Sequence, residues 1–193
     1  MQWNISYDIC AFLILGLFCG YTLIMKRFKS RLNRIYDGMC IIVLCSVVLD
    51  VLGVFFVEYI DVVTSYAVYA AKMRYMILIN TLAVGLYWYV RELVGAKKRS
   101  FLGRVLNSIP FLVDAFLILS TPWLKLSIYI DENNVYHYGP CAKLLYALSG
   151  YYLVLSLVYL LCNRKTLSKQ SRFAFSFFYI VLFAALIVQV AAP

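Results

Sequence analysis

Six long apolar runs divide the chain, at about residues 9–25, 38–60, 66–90, 105–121, 141–162 and 173–192. A helix needs about 20 apolar residues to cross roughly 30 Å of hydrocarbon, and each run meets or approaches that length. Short polar stretches separate the runs, so successive helices would be antiparallel neighbours in a bundle. The pattern predicts an all-α, polytopic membrane helical bundle of about six transmembrane helices, one domain over residues 1–193.

The polar stretches alternate in sign. Fourteen of the eighteen Lys and Arg residues fall in three of them: Lys26 to Arg34, Arg91 to Arg104 and Arg164 to Arg172. The stretches between carry acid instead, at Asp8, Glu58, Asp61, Asp131 and Glu132. Cytoplasmic loops retain Lys and Arg, so the alternation predicts the orientation. The N-terminus lies outside, the three basic stretches lie in the cytoplasm, and the last span returns the C-terminus to the outside. The first run has basic residues after it and none before it, the reverse of a secretory signal peptide.

One outer connection has a signal of its own. Between residues 121 and 140, two β-favouring runs, Ile128 to Ile130 and Val135 to Tyr138, flank the turn formers Asp131, Glu132, Asn133 and Asn134. That pattern predicts a short β-hairpin in the outer 4–5 loop. An isolated hairpin is marginal in water, so it should rest on the mouth of the bundle. Its candidate contact residues, forming an outer lid, are Tyr129, Asp131, Tyr136, His137 and Tyr138. An irregular connection is the plainer alternative.

Ionisable groups inside spans cost about 2.5–3.5 kcal/mol each, which makes their positions informative. Asp50 lies near mid-depth of the second run, and Lys72 and Arg74 lie in the outer third of the third. Counted from the outer turn at about 1.5 Å per residue, Asp50 and Arg74 reach similar depths. A buried Asp50–Arg74 ion pair is therefore expected, with Glu58 and Lys72 pairing nearer the surface. Gly53 and Gly85 would let the helices approach. Such a pair could simply staple two helices, or it could form the wall of a pocket open to the outside. Asp114 shares a face with Asn107 and Pro110 and has no basic neighbour in its own run, so it faces Asn80 or an aqueous interior, or is protonated. Pro110 kinks that helix or sits in its first turn. With Tyr152 and Gln189, these make the ligand-pocket candidates Asp50, Arg74, Asn80, Asp114, Tyr152 and Gln189. Tyrosines near run ends, Tyr69 and Tyr87 among them, fit an interfacial aromatic belt.

Composition narrows the function. The chain is 64% hydrophobic and 14% charged, too apolar for a soluble core of 193 residues. Its net charge of +9 sits at span ends, which headgroups and cytoplasmic retention explain without nucleic acid. His137 is the one histidine, so no multi-His metal site can form, and no catalytic motif, phosphate loop or cofactor fingerprint is present. The six cysteines lie mostly inside runs, although Cys10 and Cys141 near the outer face could pair. Asn4-Ile-Ser6 matches the glycosylation pattern.

The loop string Ile128-Tyr-Ile-Asp-Glu-Asn-Asn-Val-Tyr-His-Tyr-Gly-Pro140, with Ser6-Tyr7-Asp8, Leu49-Asp50, Pro110, Gln189 and Pro193, resembles a bacterial membrane sensor region. That region forms the N-terminal part of many diguanylate cyclases and of related multi-span histidine kinases. The resemblance implies a sensory input region of the bacterial inner membrane that binds a small extracellular ligand. It would signal to a cytoplasmic catalytic domain, with a seventh span and that output domain missing from this chain. Catalysis would then lie outside the chain. Its partners would be the lipid bilayer, the ligand and, in a homodimer, a second copy. The charged and polar groups at membrane depth suggest a different class, a small transporter or channel.

Overall fold

The computed structural model describes residues 13–17, 19–21, 24, 30–60, 63–95, 101–131 and 135–191, with backbone alone for 101, 102, 104, 171, 174 and 185–191. The described residues are mostly helical, with one two-stranded sheet among them. Of the first apolar run, the described residues 13–17, 19–21 and 24 are helical, and Cys19 is buried against Cys40 of the next helix.

That next helix, α1, spans Arg31–Glu58. It starts earlier than its apolar run because the Ser30 side chain accepts a hydrogen bond from the Asn33 N–H at 3.1 Å, an N-cap that stabilises the first turn. After a tight connection, α2 spans Ser65–Leu93. It stops before Gly95, whose φ of +64° lies in the left-handed region that glycine reaches without strain. Helix α3, Phe101–Leu119, contains Pro110, and a single turn, α4, follows at Thr121–Leu124. The strands β1 (Ile128–Ile130) and β2 (Tyr136–Tyr138) pair antiparallel, with Tyr129 opposite His137. Helix α5 spans Ala142–Cys162, a 3₁₀ turn occupies Arg164–Thr166, and α6 spans Lys169–Ala191.

Two of these helices, α1 and α5, are long and apolar enough to cross a membrane. Shorter apolar helical stretches occur at Val105–Leu119 and Phe175–Ala184. The helical class and the hairpin follow the sequence reading. Among the described residues, two helices rather than six meet the length and apolarity requirement.

Helix α2 is the hub, packing against α1, α5 and α3. Ala83, Leu86, Tyr87 and Val90 of α2 meet Tyr152, Leu153 and Leu160 of α5 and Tyr179 of α6 in the apolar core. Tyr87 is 1% exposed and packs between the helices, because it lies on the face of α2 turned toward α5.

Candidate functional site

The hairpin is tied down at both ends. Ile128 is buried, the Ile130 N–H donates to the Tyr69 hydroxyl of α2 at 3.1 Å, and the Gly139 N–H donates to the Ser127 carbonyl at 2.9 Å. A Cβ on Gly139 would lie 2.2 Å from the Leu126 carbonyl oxygen, so only glycine allows this closure. At the other side, the hydroxyls of Ser120, Thr121 and Ser127 all donate to the Leu117 carbonyl, at 3.1, 3.0 and 3.3 Å. Carbonyls in the last turn of a helix have no intrahelical donor. Here the strand leading into the hairpin helps supply one, which fastens the hairpin to the C-terminal end of α3.

The lid residues divide their tasks. Asp131 shapes the turn: its carboxylate accepts from the Val135 N–H at 2.7 Å and lies 3.2 Å from His137 Nε2. His137 stacks on Tyr129 across the strands, with ring centroids 5.1 Å apart. Tyr136 and Tyr138 share the strand face turned toward the bundle, Tyr136 half-buried and Tyr138 at the exposed rim. Burial pushes the Tyr136 phenol well above its ordinary range, and Tyr138, Tyr146, Asp50 and Tyr75 add to the shift. The Tyr138 phenol is also raised, by burial and then by Tyr146 and Asp50. Both side chains are therefore neutral hydroxyls facing the acidic end of an ion pair.

That ion pair is not the expected one. Asp50 of α1 pairs with Lys72, at 3.3 Å, rather than with Arg74. Successive residues turn by about 100° on a helix, so Lys72 and Arg74 point in nearly opposite directions. Lys72 faces α1 and is 8% exposed, whereas Arg74 is exposed. The Lys72–Glu58 pairing fails for the same reason, since Lys72 is committed to Asp50. Gly53 makes the contact fit: a Cβ there would lie 2.9 Å from Lys72 Cε, so the lysine stem runs over the glycine. The ammonium also lies 5.9 Å from the centre of the Tyr75 ring.

A second polar cluster lies where α2, α3 and α5 meet. Pro110 has no N–H to give its own helix. One residue later the ladder is broken again: the Phe111 N–H donates to the Tyr152 hydroxyl at 3.2 Å, and that hydroxyl donates to the Asn107 carbonyl at 2.6 Å. Phe111 and Asn107 would be direct partners in a regular helix. Tyr152 of α5 is inserted between them, a recognised cause of helix bending. The Asn107 amide donates in turn to the Tyr87 hydroxyl at 2.7 Å, and Tyr179 of α6 donates to Ser156 of α5 at 2.6 Å.

One turn beyond the proline sits Asp114, 2% exposed. Asn80 hydrogen-bonds its carboxyl, as the sequence suggested, and Ser149 of α5 donates to the Asn80 oxygen. The second Asp114 oxygen, Oδ1, is buried without a hydrogen-bond partner. A slit among Asn80, Pro110, Asp114, Ser149 and Tyr152 adjoins it, with no room for a water molecule. Orphaned polar atoms of this kind cost about 1–3 kcal/mol and call for an explanation.

The six pocket candidates thus separate. Asn80, Asp114 and Tyr152 converge on the inner cluster, Asp50 lies under the hairpin, Arg74 points outward, and the Gln189 side chain lies outside the described residues. Ser149 and Tyr179 were missed, although both fall within apolar runs where any hydroxyl is a signal, and Lys72 and Tyr87 were named for other contacts. Cys141 carries a free thiol, and its suggested partner Cys10 lies outside the described residues, as does the Asn4–Ser6 motif. No family model matches the sequence, and no curated protein or solved structure is similar to it at a significant level.

Proposed function

We propose that the chain is a multi-pass sensory input module of the bacterial inner membrane, in which the outer hairpin reports on an extracellular small ligand through helix α3. One observation carries the reading: the hairpin is fastened to the last turn of the same helix whose Asn107 carbonyl and Phe111 N–H are held by the Tyr152 hydroxyl, beside Pro110 and one turn from the buried Asp114. A ligand that favours one position of the hairpin would pull on Leu117 and act on that Tyr152 contact about two turns away. Ligands act in this way only through differential affinity for two arrangements, and a coupling of about 1–3 kcal/mol is typical. The resemblance of the loop string to membrane sensor regions of diguanylate cyclases and histidine kinases supports the same role.

The membrane setting is supported by two kinds of observation. Leu52 and Phe55 of α1, Leu112 and Phe116 of α3, Val154 and Leu161 of α5, and Phe177 and Ile180 of α6 all face outward. Soluble monomers rarely expose apolar surface on that scale. The basic and acidic loops then orient the bundle with the hairpin outside. Single cysteine probes in a background without native cysteines test the layout: Asn133 should react with an impermeant thiol reagent in intact cells, and Lys98 and Ser168 only after the membrane is opened. Labelling of Lys98 from outside would overturn it.

A second reading, a small transporter, is favoured by the orphaned Asp114 oxygen, since intramembrane carboxyls commonly mark ion or proton paths. Solute flux in proteoliposomes that disappears with Asp114→Asn would select transport. A ligand that raises the melting temperature of the purified chain, with no flux, would select sensing.

A further inference from the structure

A groove of about 370 Å³ runs between α1 and α2 at the end of the bundle opposite the hairpin. Its size lies within the range of pockets that hold small ligands, 300–1,000 Å³. Arg31 and Arg34 stand at one end, beside Trp88, and the floor continues past Gly38, Met39 and Gly85 to Ile42, Val84 and Thr81, whose hydroxyl is taken up by the Ile77 carbonyl. Along α1 the lining residues recur from Arg31 to Ile42, a length of roughly 16 Å at 1.5 Å per residue. The groove is therefore cationic at one end and oily along the rest.

The two glycines make room for different things. Gly85 lets Met39 approach: a Cβ there would be 3.2 Å from Met39 Cγ. Gly38 has no such neighbour, because its Cβ would meet nothing within 4 Å. Glycine inside a helix costs about 0.5–1 kcal/mol relative to alanine, and at Gly38 no packing among the described residues offsets that cost. A groove occupant from outside the chain would use the space. The charges point to what it is. Both arginines are exposed; Arg31 is shared with Glu92 at 3.5 Å, whereas Arg34 forms no ion pair among the described residues.

We infer that this groove binds one anionic phospholipid of the phosphatidylglycerol type, its phosphate on the Arg34 and Arg31 guanidiniums and an acyl chain lying over Gly38. Guanidinium groups recognise phosphate oxygens with paired, charge-assisted hydrogen bonds. Basic pockets between membrane helices on the cytoplasmic side suit anionic headgroups. A free phosphate would leave the apolar length bare, and a zwitterionic lipid would give the guanidiniums no net negative charge. The inference rests on the membrane reading above and adds a specific lipid site to it. Lipid composition would then act on α1 and α2, the helices that carry the Asp50–Lys72 pair.

Trp88 in the groove wall provides the readout. With Trp3→Phe and Trp123→Phe, Trp88 is the sole tryptophan, and the purified chain in dodecyl maltoside micelles is titrated with phosphatidylglycerol brominated on its acyl chains. Brominated phosphatidylcholine is titrated in parallel. Brominated phosphatidylglycerol should quench Trp88 at about tenfold lower mole fraction than brominated phosphatidylcholine, the separation expected of one charge-assisted contact worth about 1.4 kcal/mol. Gly38→Leu, which fills the groove, and Arg34→Gln, which removes the exposed cation, should each return the curve to that of phosphatidylcholine. Gly38→Ala controls for folding, and if Gly38→Leu fails to fold, Arg34→Gln decides. Inorganic phosphate should not displace the brominated lipid. Coincident curves for the two lipids in the parent protein, quenching that survives either groove substitution, or displacement by phosphate would each overturn the site. Carbonate extraction of cell membranes tests the membrane reading separately: a chain that stays in the pellet but shows coincident curves loses the lipid site alone.

Discussion

The outer cluster around Asp50 and the inner cluster around Asp114 each bury a carboxyl among helices, and they treat it in opposite ways. Asp50 has a full counter-charge in Lys72 and partial access to solvent, its side chain being 28% exposed. Asp114 is almost completely enclosed, has one neutral amide against it, and leaves an oxygen without a partner. A satisfied pair mainly holds two helices together, because breaking it strands a charge. An unsatisfied buried carboxyl gains little for stability. Its presence is more readily explained by a second arrangement in which it is satisfied, which is the bistable element that a sensor or a transporter requires. The contrast assigns fastening to the α1–α2 contact and movement to the α2–α3–α5 junction.

The largest effect should come from breaking the outer pair. Asp50→Ala strands Lys72 and should destabilise the purified chain by about 3 kcal/mol, the lower end for buried pairs because Asp50 is partly open. Combining Asp50→Ala with Lys72→Met should recover most of the loss, whereas Asp50→Ala with Arg74→Met should recover none. Thermal unfolding in detergent measures both, and additive effects for Asp50 and Lys72 would refute the pairing. The inner cluster should respond with the opposite sign. Asp114→Asn removes a buried carboxyl and keeps its shape, so stability should rise by about 1 kcal/mol. Any ligand-induced thermal shift should shrink in the same variant. A fall in stability would make Asp114 a fastening residue like Asp50 and erase the distinction between the clusters.

Much of the architecture was legible because it depends on local pattern. Apolar runs marked the helices, and the turn formers from Asp131 to Asn134 marked the hairpin; Pro110 lies inside α3 rather than in its first turn. The observed β2 begins at Tyr136, one residue after the expected start, because the Val135 N–H is drawn to the Asp131 carboxylate and the turn widens. What could not be read was rotational phase. Depth along a helix was counted correctly for Asp50 and its neighbours on α2, but two residues of error in phase exchanged Lys72 for Arg74. Phase also turns Tyr87 inward, between the helices. The Tyr152 bridge lay beyond reach for another reason: it forms only because α5 approaches α3 at the point where proline has weakened the ladder, and no spacing along the chain encodes that approach.

The coupling between hairpin and core is tested most directly by hydrogen exchange on the chain in lipid nanodiscs, comparing the parent with Tyr152→Phe. Removing the hydroxyl lets the Phe111 N–H return to the Asn107 carbonyl, so the substitution should cost only about 1 kcal/mol. The account predicts slower exchange at Phe111 as the helix straightens, together with faster exchange at Ile130 and Gly139 as the Leu117 anchor shifts. A change confined to α3, with the hairpin amides exchanging as in the parent, would contradict it.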